Sequence, residues 1–466
     1  MSGHDYGALL PEGVLVAGAV LVLLLGTFLP RRRLPVTRWV AGTALAASAA
    51  TALGAGTGTA FDHSYALDPV TATARVVAPL AALGVLLLGS DELRRTIREA
   101  ETCTLVLLGT AGTVVLAGAS DLAVLAAAYL LASVPVYALV GLAHSGRAAE
   151  AALKTYLFGA LLGAAMLLGT AVLAGVGGAT GYARLHGALP GAPVAATAVG
   201  FVLVLAGLTF KTGAVPGHFW LPDAAEGAGV TAAAFVTTVP KIGGLLALLR
   251  LLGVLDGVPM AATGTVAVLA ALTLTLGNLA ALGQDDVRRL LGWSAVAQVG
   301  FLLLAPAALR RPEPAPALGL YLAGYAVTNL VAFAVAAAHP GRRLLADWAG
   351  LARRHPASAA ALAVAMLGLV GTPPTAVFAG KVAVFTVAWD DGWRWLVLLA
   401  GALTVVSLAY YLRWLRAAFA RPSTVHAEEA VHRTAQAVAV GGSLLVLVLG
   451  VLAGPVLHAL SGPMLR

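Results

Sequence analysis

Three lysines sit in the middle of long apolar stretches: Lys211 in GLTFKTGAVPGHFW, Lys241 in VTTVPKIGGLLALL and Lys381 in PPTAVFAGKVAVF. A fourth, Lys154, opens the apolar run AALKTYLFGALLGAAML. These are all the lysines of the chain, which leaves 25 arginines in a Lys plus Arg total of 29. Arginine holds its charge under any ordinary condition, whereas a lysine removed from water can release its proton near neutrality. The division of labour points to reversible protonation inside the apolar phase, the chemistry that a proton path needs. A charged lysine at a bilayer centre costs about 2.5–3.5 kcal/mol, which leucine would avoid. The competing structural reading is that each lysine snorkels or pairs with a buried carboxylate. For Lys154, within a few residues of an expected helix end, snorkelling competes on level terms, and Arg75 and Arg250, nearer helix ends, read as structural.

His218 follows Pro216 and Gly217, where unwound backbone could line a wet cavity and an imidazole could relay protons; a satisfied interfacial histidine is the alternative. Asp223 and Glu226 in WLPDAAEGAG read as charges at the N-terminus of the next helix. Asn278, Gln298, Tyr325 and Asn329 are polar groups within apolar runs, able to hold water or join helices. No glycine-rich dinucleotide fingerprint, phosphate-binding loop or HExxH metal motif occurs, and Gly54, Gly56 and Gly58 read as a helix-ending loop. The lone Cys103 excludes a disulfide framework and a four-thiolate iron–sulfur site. Electron transfer, if involved, belongs to another subunit.

The elements that position these groups follow from composition. With 466 residues, 60% of them hydrophobic and 11% charged, the chain reads as an all-α polytopic membrane bundle, one integral membrane domain over 1–466. Fourteen spans are predicted, near 11–29, 36–56, 70–89, 102–118, 121–142, 153–175, 195–221, 228–252, 260–282, 287–309, 317–338, 357–389, 394–418 and 435–458. The formal charge of +8 does not imply nucleic acid, because the arginines fall in short loops without interleaved aromatics. Most of them, including Arg31–Arg33, Arg94, Arg95, Arg98, Arg288, Arg289, Arg342 and Arg343, fall on one side. The other side carries Arg184, Arg310, Arg311, Arg394 and Arg466, so the positive-inside rule places both termini outside. Asp5 and Glu12 before the first apolar run, and the arginines after it, are the reverse of a cleavable signal, so the first helix is expected to stay.

Two runs have the wrong length. The stretch near 357–388 would make a helix of about 48 Å, against a hydrocarbon core of about 30 Å, and Gly371, Pro373 and Pro374 offer a break. The run near 195–221 is interrupted likewise by Gly213, Pro216 and Gly217. Paired interruptions predict inverted repeats, near 102–252 and 260–418.

Read together, LLPEGVLVAGAVLVLLLG, SVPVYALVGLA, EAALKTYLFGA, TFKTGAVPGHFWLPDAAEG, GNLAALGQDDVRRLLGWSAVAQVGFLLL and LGLVGTPPTAVFAGKVAVF resemble the antiporter-like subunit family. That family is shared by proton-pumping NADH–quinone oxidoreductase (respiratory complex I) and multisubunit sodium/proton antiporters, and the resemblance is to its subunit N type over about residues 10–415. It implies fourteen helices, the seventh and twelfth broken, with Lys154, Lys211, Lys241 and Lys381 on family lysines in helices 6, 7, 8 and 12. It also implies a proton-translocating membrane-arm subunit. Lys211 would take a proton from a cytoplasmic half-channel, Lys241 pass it laterally and Lys381 release it outward, with Lys154 coupling to a neighbouring subunit. The partners implied are other membrane-arm subunits and the lipid bilayer of the cell membrane. NADH, FMN, iron–sulfur clusters and quinone would serve the assembled complex in other subunits, with no cofactor bound by this chain. Two positions depart from the family pattern. Leu130 stands where ELLSLPLY-like segments carry glutamate, removing the expected partner of Lys211, and Gln298 stands where SSIAHAGY-like segments carry histidine. These departures fit a divergent second copy of subunit N. They also motivate the rivals, a multisubunit cation/proton antiporter component or a structural subunit that no longer pumps.

Overall fold

The computed structural model describes residues 3–309, 314–421 and 431–465. Arg310, Arg311 and Arg466, used above in the charge comparison, lie outside the described residues, as does the side chain of Asp5. The chain is almost entirely helical. Its long helices are α1 (Leu10–Phe28), α2 (Pro35–Leu53), α3 (Pro69–Leu88), α4 (Glu99–Gly118), α5 (Leu122–Gly141) and α6 (Gly146–Gly177). There follow α7 in two segments (Val194–Thr212 and Trp220–Gly227), α8 (Val230–Val254), α9 (Ala262–Leu282), α10 (Val287–Leu302) and α11 (Pro314–Ala338). The last are α12 in two segments (Pro356–Val370 and Ala376–Asp390), α13 (Arg394–Phe419) and α14 (Arg433–Val451). Among the described residues, twelve helices are long and apolar enough to cross a bilayer. The less apolar α2 and the two short segments of α12 bring the crossing positions to fourteen, as expected.

Helix starts follow local chemistry. Pro35, Pro69 and Pro356 sit in first turns, where a missing N–H costs nothing. Asp68, Asp121, Ser145 and Asp286 accept from the backbone amides that open α3, α5, α6 and α10. The start of α8 is capped from a distance: Glu92, beyond the end of α3, accepts from the amides of Val230 (3.0 Å) and Thr231 (2.9 Å). That corrects the reading of Asp223 and Glu226 as the charges at this terminus; they lie in the short second segment of α7 and point elsewhere. Gly58 opens a strand: Gly58–Ala60 pairs antiparallel with Tyr65–Leu67, a hairpin the sequence pattern did not announce. α6 begins seven residues before the expected span and runs 32 residues. At about 1.5 Å per residue it overreaches the hydrocarbon core, so Lys154 lies on its projecting end.

Burial sets the layers. α8 is buried along its whole apolar window, and α10 and α11 nearly so, whereas α1, α13 and α14 keep most of theirs outward. The helices that carry Lys241, Gln298, Tyr325 and Asn329 thus lie in the centre, away from lipid. Two buried ion pairs pin the periphery to this centre. Arg75 on α3 meets both carboxylate oxygens of Glu12 on α1, at 2.7 and 2.9 Å, and Tyr65 of the hairpin donates to the same carboxylate at 2.7 Å. Arg250 near the end of α8 meets Asp68 with both terminal nitrogens at 2.9 Å and donates to the carbonyl of Leu465 at 2.7 Å. Burial pushes the Asp68 carboxyl up, but the hydrogen bonds and charge of Arg250 outweigh it and hold the group below its ordinary value. Removing one partner of such a pair typically costs about 3–5 kcal/mol, because the other charge stays buried. Arg75 and Arg250 are therefore structural.

Candidate proton-path lysines and their network

The two breaks share one stop. The first segment of α7 ends at Gly213 in the left-handed conformation (φ 80°), and the amides of Gly213 and Ala214 both return to the carbonyl of Thr209 at 2.9 Å. The first segment of α12 ends at Gly371 (φ 90°), where Gly371 and Thr372 return to the carbonyl of Leu367 at 3.1 Å. Glycine is needed at both, since a side chain at such φ is strained. Each break leaves carbonyls in the bundle interior without a continuing helix, and lysine amines occupy that space.

Lys211, two residues before the first break, donates to Ser133 Oγ on α5 at 3.3 Å, with its methylenes against Gly244 of α8. Lys241 of α8 donates to its own helix at the carbonyl of Val236 (2.6 Å), and its ammonium lies 5.4 Å from the Trp220 ring centroid. That ammonium is also 3.7 Å from the space a Cβ on Gly213 would fill, so Lys241 faces the break of α7. Lys381, in the second segment of α12, reaches back across its own break to the carbonyl of Val370 at 2.8 Å. Its ammonium sits 3.8 Å from the Phe301 ring centroid. All three are at most 4% exposed, and among the described residues none has a carboxylate within ion-pair reach. A main-chain carbonyl and an aromatic face are what hold Lys241 and Lys381.

Between Lys241 and Lys381 lie two hydrogen-bonded groups of polar side chains, one around Thr237 and one around Gln298. Asn329 donates to the hydroxyls of Thr237 and Thr238 (3.1 and 2.9 Å), and Tyr325 donates to the carbonyl of Thr237 (2.7 Å), one turn before Lys241. Tyr321 donates to Gln298 Oε1 at 2.6 Å. The Gln298 amide donates to the carbonyl of Leu369 at 2.8 Å and to the Tyr411 hydroxyl at 3.3 Å. Leu369 and Val370 adjoin the second break, so Gln298 and Lys381 bind neighbouring carbonyls of one exposed helix end. Ser294 shares a 2.5 Å contact with Tyr411, and Tyr410 donates to Asn278 at 3.2 Å.

A family model described as NADH:quinone oxidoreductase/Mrp antiporter, transmembrane, matches residues 119–407, which hold all four lysines and both breaks. The chain belongs to this family. NADH-quinone oxidoreductase subunit N of Mycobacterium sp. is 49% identical over 459 residues, covering 96% of this chain and 97% of that one. Subunit N 1 of Streptomyces griseus is 48% identical over 465 residues, covering 98% of each. Among solved structures, a chain of Thermus thermophilus respiratory complex I with bound aureothin superposes with a TM-score of 0.83 at 34% identity, covering 97% of this chain and 99% of that one. A chain of the Mrp complex of Dietzia sp. reaches a TM-score of 0.84 at 23% identity, covering 99% and 96%, a likeness of fold.

Within this NADH:quinone oxidoreductase/Mrp fold, Lys154 stands apart from the other lysines. It is partly exposed and pairs with Glu150 and Asp223, each at 2.7 Å, while Arg289 bridges Asp223 (2.6 Å) and Glu226 (2.9 Å). His218 is 1% exposed in the first break, its ring tilted against that of Phe219 at 4.1 Å, with no side-chain hydrogen-bond partner among the described residues. Leu130 lies on the outward face of α5 at 45% exposure, one turn from the inward Ser133. Ser133, Tyr321 and the tyrosine pair of α13 escaped the sequence reading. A signal for one of them was present: Tyr321, Tyr325 and Asn329 recur every four residues, one polar stripe on an apolar helix. Ser133 carried none, because a single hydroxyl in an apolar helix bonds its own backbone as readily as a partner.

Proposed function

We propose that the chain is a proton-translocating membrane-arm subunit, of the N type, of an NADH–quinone oxidoreductase. The observation that carries this reading is the set of three buried amines beside two helix breaks, with no carboxylate within ion-pair reach among the described residues and with tyrosine, glutamine and threonine side chains lying between Lys241 and Lys381. An amine held by a carbonyl and a ring keeps a site for its proton in either charge state, and it can pass that proton to water or hydroxyl groups admitted at the unwound turns. Lys211 takes the proton from the arginine-rich side, Lys241 carries it along the buried axis of α8, and Lys381 releases it outward. His218, buried in the first break with no side-chain partner among the described residues, relays there. Lys154, with Asp223 and Arg289, couples to the adjoining membrane-arm subunit through its exposed ion-pair cluster. The bundle works as one membrane domain, with α4–α8 and α9–α13 as inverted repeats and both termini outside. NADH, flavin, iron–sulfur clusters and quinone act in other subunits of the assembly.

The test is vesicle acidification by the assembled enzyme. Lys381→Ala and Lys211→Ala should leave assembly intact and cut proton transfer by about tenfold or more. Lys381→Arg, which keeps the charge but not a readily released proton, should be as impaired as Lys381→Ala. Unchanged pumping in all three would refute the assignment, and a normal Lys381→Arg would make the lysine a structural cation.

A further inference from the structure

A second polar feature lies away from the lysines, at the arginine-rich end of α3, α11 and α14. A cavity of about 290 Å³ opens there, lined by Arg95, Arg288, Arg342 and Arg343 together with Glu92 and His432. Its charges are unevenly spent. Glu92 is engaged by the amides that open α8, and Arg343 is matched by Asp286 at 2.8 Å. Arg288 meets carbonyl oxygens of Ala228 and Glu226, at 2.9 and 2.8 Å, and no carboxylate within ion-pair reach among the described residues. Arg95 is exposed, and the Nε2 atom of His432 is buried with no hydrogen-bond partner among the described residues. Among the described residues the mouth is therefore net positive, with guanidinium and imidazole donors in its lining.

An apolar groove of about 610 Å³ runs between the same three helices, and on α3 the two spaces meet at consecutive residues. Leu87 lines the groove and Leu88 the mouth; Val331 lines the groove, and Ala336 and Ala337 the mouth; Val438 lines the groove and His432 the mouth. The amide of His432 donates to the carbonyl of Ala338 at 3.0 Å, which ties the start of α14 to the end of α11 where the two spaces meet. From Leu87 back to Thr73 on α3 the groove spans about 21 Å at 1.5 Å per residue, more than the roughly 15 Å of one leaflet's hydrocarbon. A partner helix would fill the groove and leave the arginines without an anion. An acyl chain ending in a phosphate satisfies both parts at once.

We propose that this cleft binds one anionic phospholipid of the leaflet at the arginine-rich helix ends, with its phosphate at Arg95 and Arg288 and one acyl chain lying between α3, α11 and α14. The site is independent of the lysine path and stands or falls separately from it.

The experiment uses the assembled enzyme in lipid nanodiscs carrying a phosphatidylglycerol with a photoreactive diazirine on one acyl chain, or the phosphatidylcholine with the same chains. After irradiation, labelled peptides are mapped by mass spectrometry. Phosphatidylglycerol should label α3, α11 and α14 more strongly than phosphatidylcholine. Arg95→Gln and Arg288→Gln should each lower that preference by roughly fivefold, the weight of one basic residue near an anionic headgroup. Ala323→Phe, which fills the groove, should abolish labelling there with both lipids; Ala72→Phe at the exposed rim does the same with less demand on packing. Arg95 is exposed, so its variant tests the headgroup contact even where Arg288→Gln weakens assembly. Equal labelling by the two lipids, or a phosphatidylglycerol preference that survives both arginine substitutions, would overturn the proposal.

Discussion

At Gly213 and at Gly371 the chain leaves a helix through the same left-handed residue and the same returning amides, yet the amines beside the two breaks are held differently. The first break is lined by rings and hydroxyls. Lys211 has a single long bond to Ser133, Lys241 is turned onto a carbonyl of its own helix, and Trp220 and His218 fill the turn. The second break is wired: Lys381 and Gln298 bind the adjacent carbonyls of Val370 and Leu369, and Gln298 continues through Tyr321 into α11 and through Tyr411 into α13. One backbone device thus yields two environments. The first offers its amines no shared hydrogen-bonded group among the described residues, whereas the second holds Lys381 and Gln298 on neighbouring carbonyls of one helix end. For the proposed proton path, this contrast predicts gating at the first break and conduction at the second.

The sharpest way to break this contrast is to remove its asymmetry at Gln298. Gln298→Leu strands the Leu369 carbonyl and the Tyr321 hydroxyl in a buried site, each worth about 1–3 kcal/mol. Proton transfer should fall about tenfold, the rate equivalent of losing roughly 1.4 kcal/mol of that stabilisation. Gln298→His keeps a donor and an acceptor and should retain most of the rate. Ser133→Ala, the matching change at the first break, removes only one long bond and should cost about threefold or less. Rates of vesicle acidification compare the three; a larger loss from Ser133→Ala than from Gln298→Leu would reverse the assignment of gate and wire.

The two glycines give a smaller and cleaner contrast. An alanine at either position is forced into left-handed backbone at about 1–2 kcal/mol, so Gly213→Ala and Gly371→Ala should lower the thermal stability of the complex similarly. Their added methyl groups meet different atoms. At Gly371 it would lie 2.9 Å from Cδ of Lys381, and at Gly213 it would lie 2.6 Å from Leu221, with Lys241 Nζ beyond at 3.7 Å. Gly371→Ala should therefore reduce proton transfer several-fold and Gly213→Ala by about twofold. Equal losses would mean that strain at the breaks, and not the seat of the lysine, controls the rate.

Much of this was legible in the sequence because the bilayer imposes strong rules. Crossing positions follow from runs of apolar residues. Both breaks follow from runs too long to be one helix and too short to be two, with Gly213 and Gly371 marking the stops. The buried lysines stood out because an ammonium in oil is costly. What stayed hidden was long-range and polar: the cap on α8 supplied by Glu92 from 138 residues away, and the pairing of Asp223 with Lys154 in place of a helix terminus. A carboxylate near a helix start carries the same local pattern whether it caps that helix or reaches across to another. The hairpin at Gly58–Leu67 was hidden for a related reason, since three-residue strands carry too little periodicity to register.

The smallest effect is expected at Leu130, where family resemblance and geometry pull apart. Resemblance makes this the missing carboxylate partner of Lys211, so that Leu130→Glu would restore a pair and alter transport strongly. The geometry of α5 argues otherwise. Leu130 and Val134 are 45% and 59% exposed on its outward face, while Ser133, the residue that Lys211 touches, is 1% exposed on the inward one. Those exposures place position 130 on the outward side of α5, so a glutamate there points towards whatever adjoins the bundle and leaves the Lys211–Ser133 bond in place. Proton transfer by the Leu130→Glu enzyme should then change by less than about twofold, measured beside Ser133→Ala in the same vesicles. If Leu130→Glu changes transport more than Ser133→Ala does, α5 turns in the assembled enzyme, and the first break is gated by that rotation as well as by its rings.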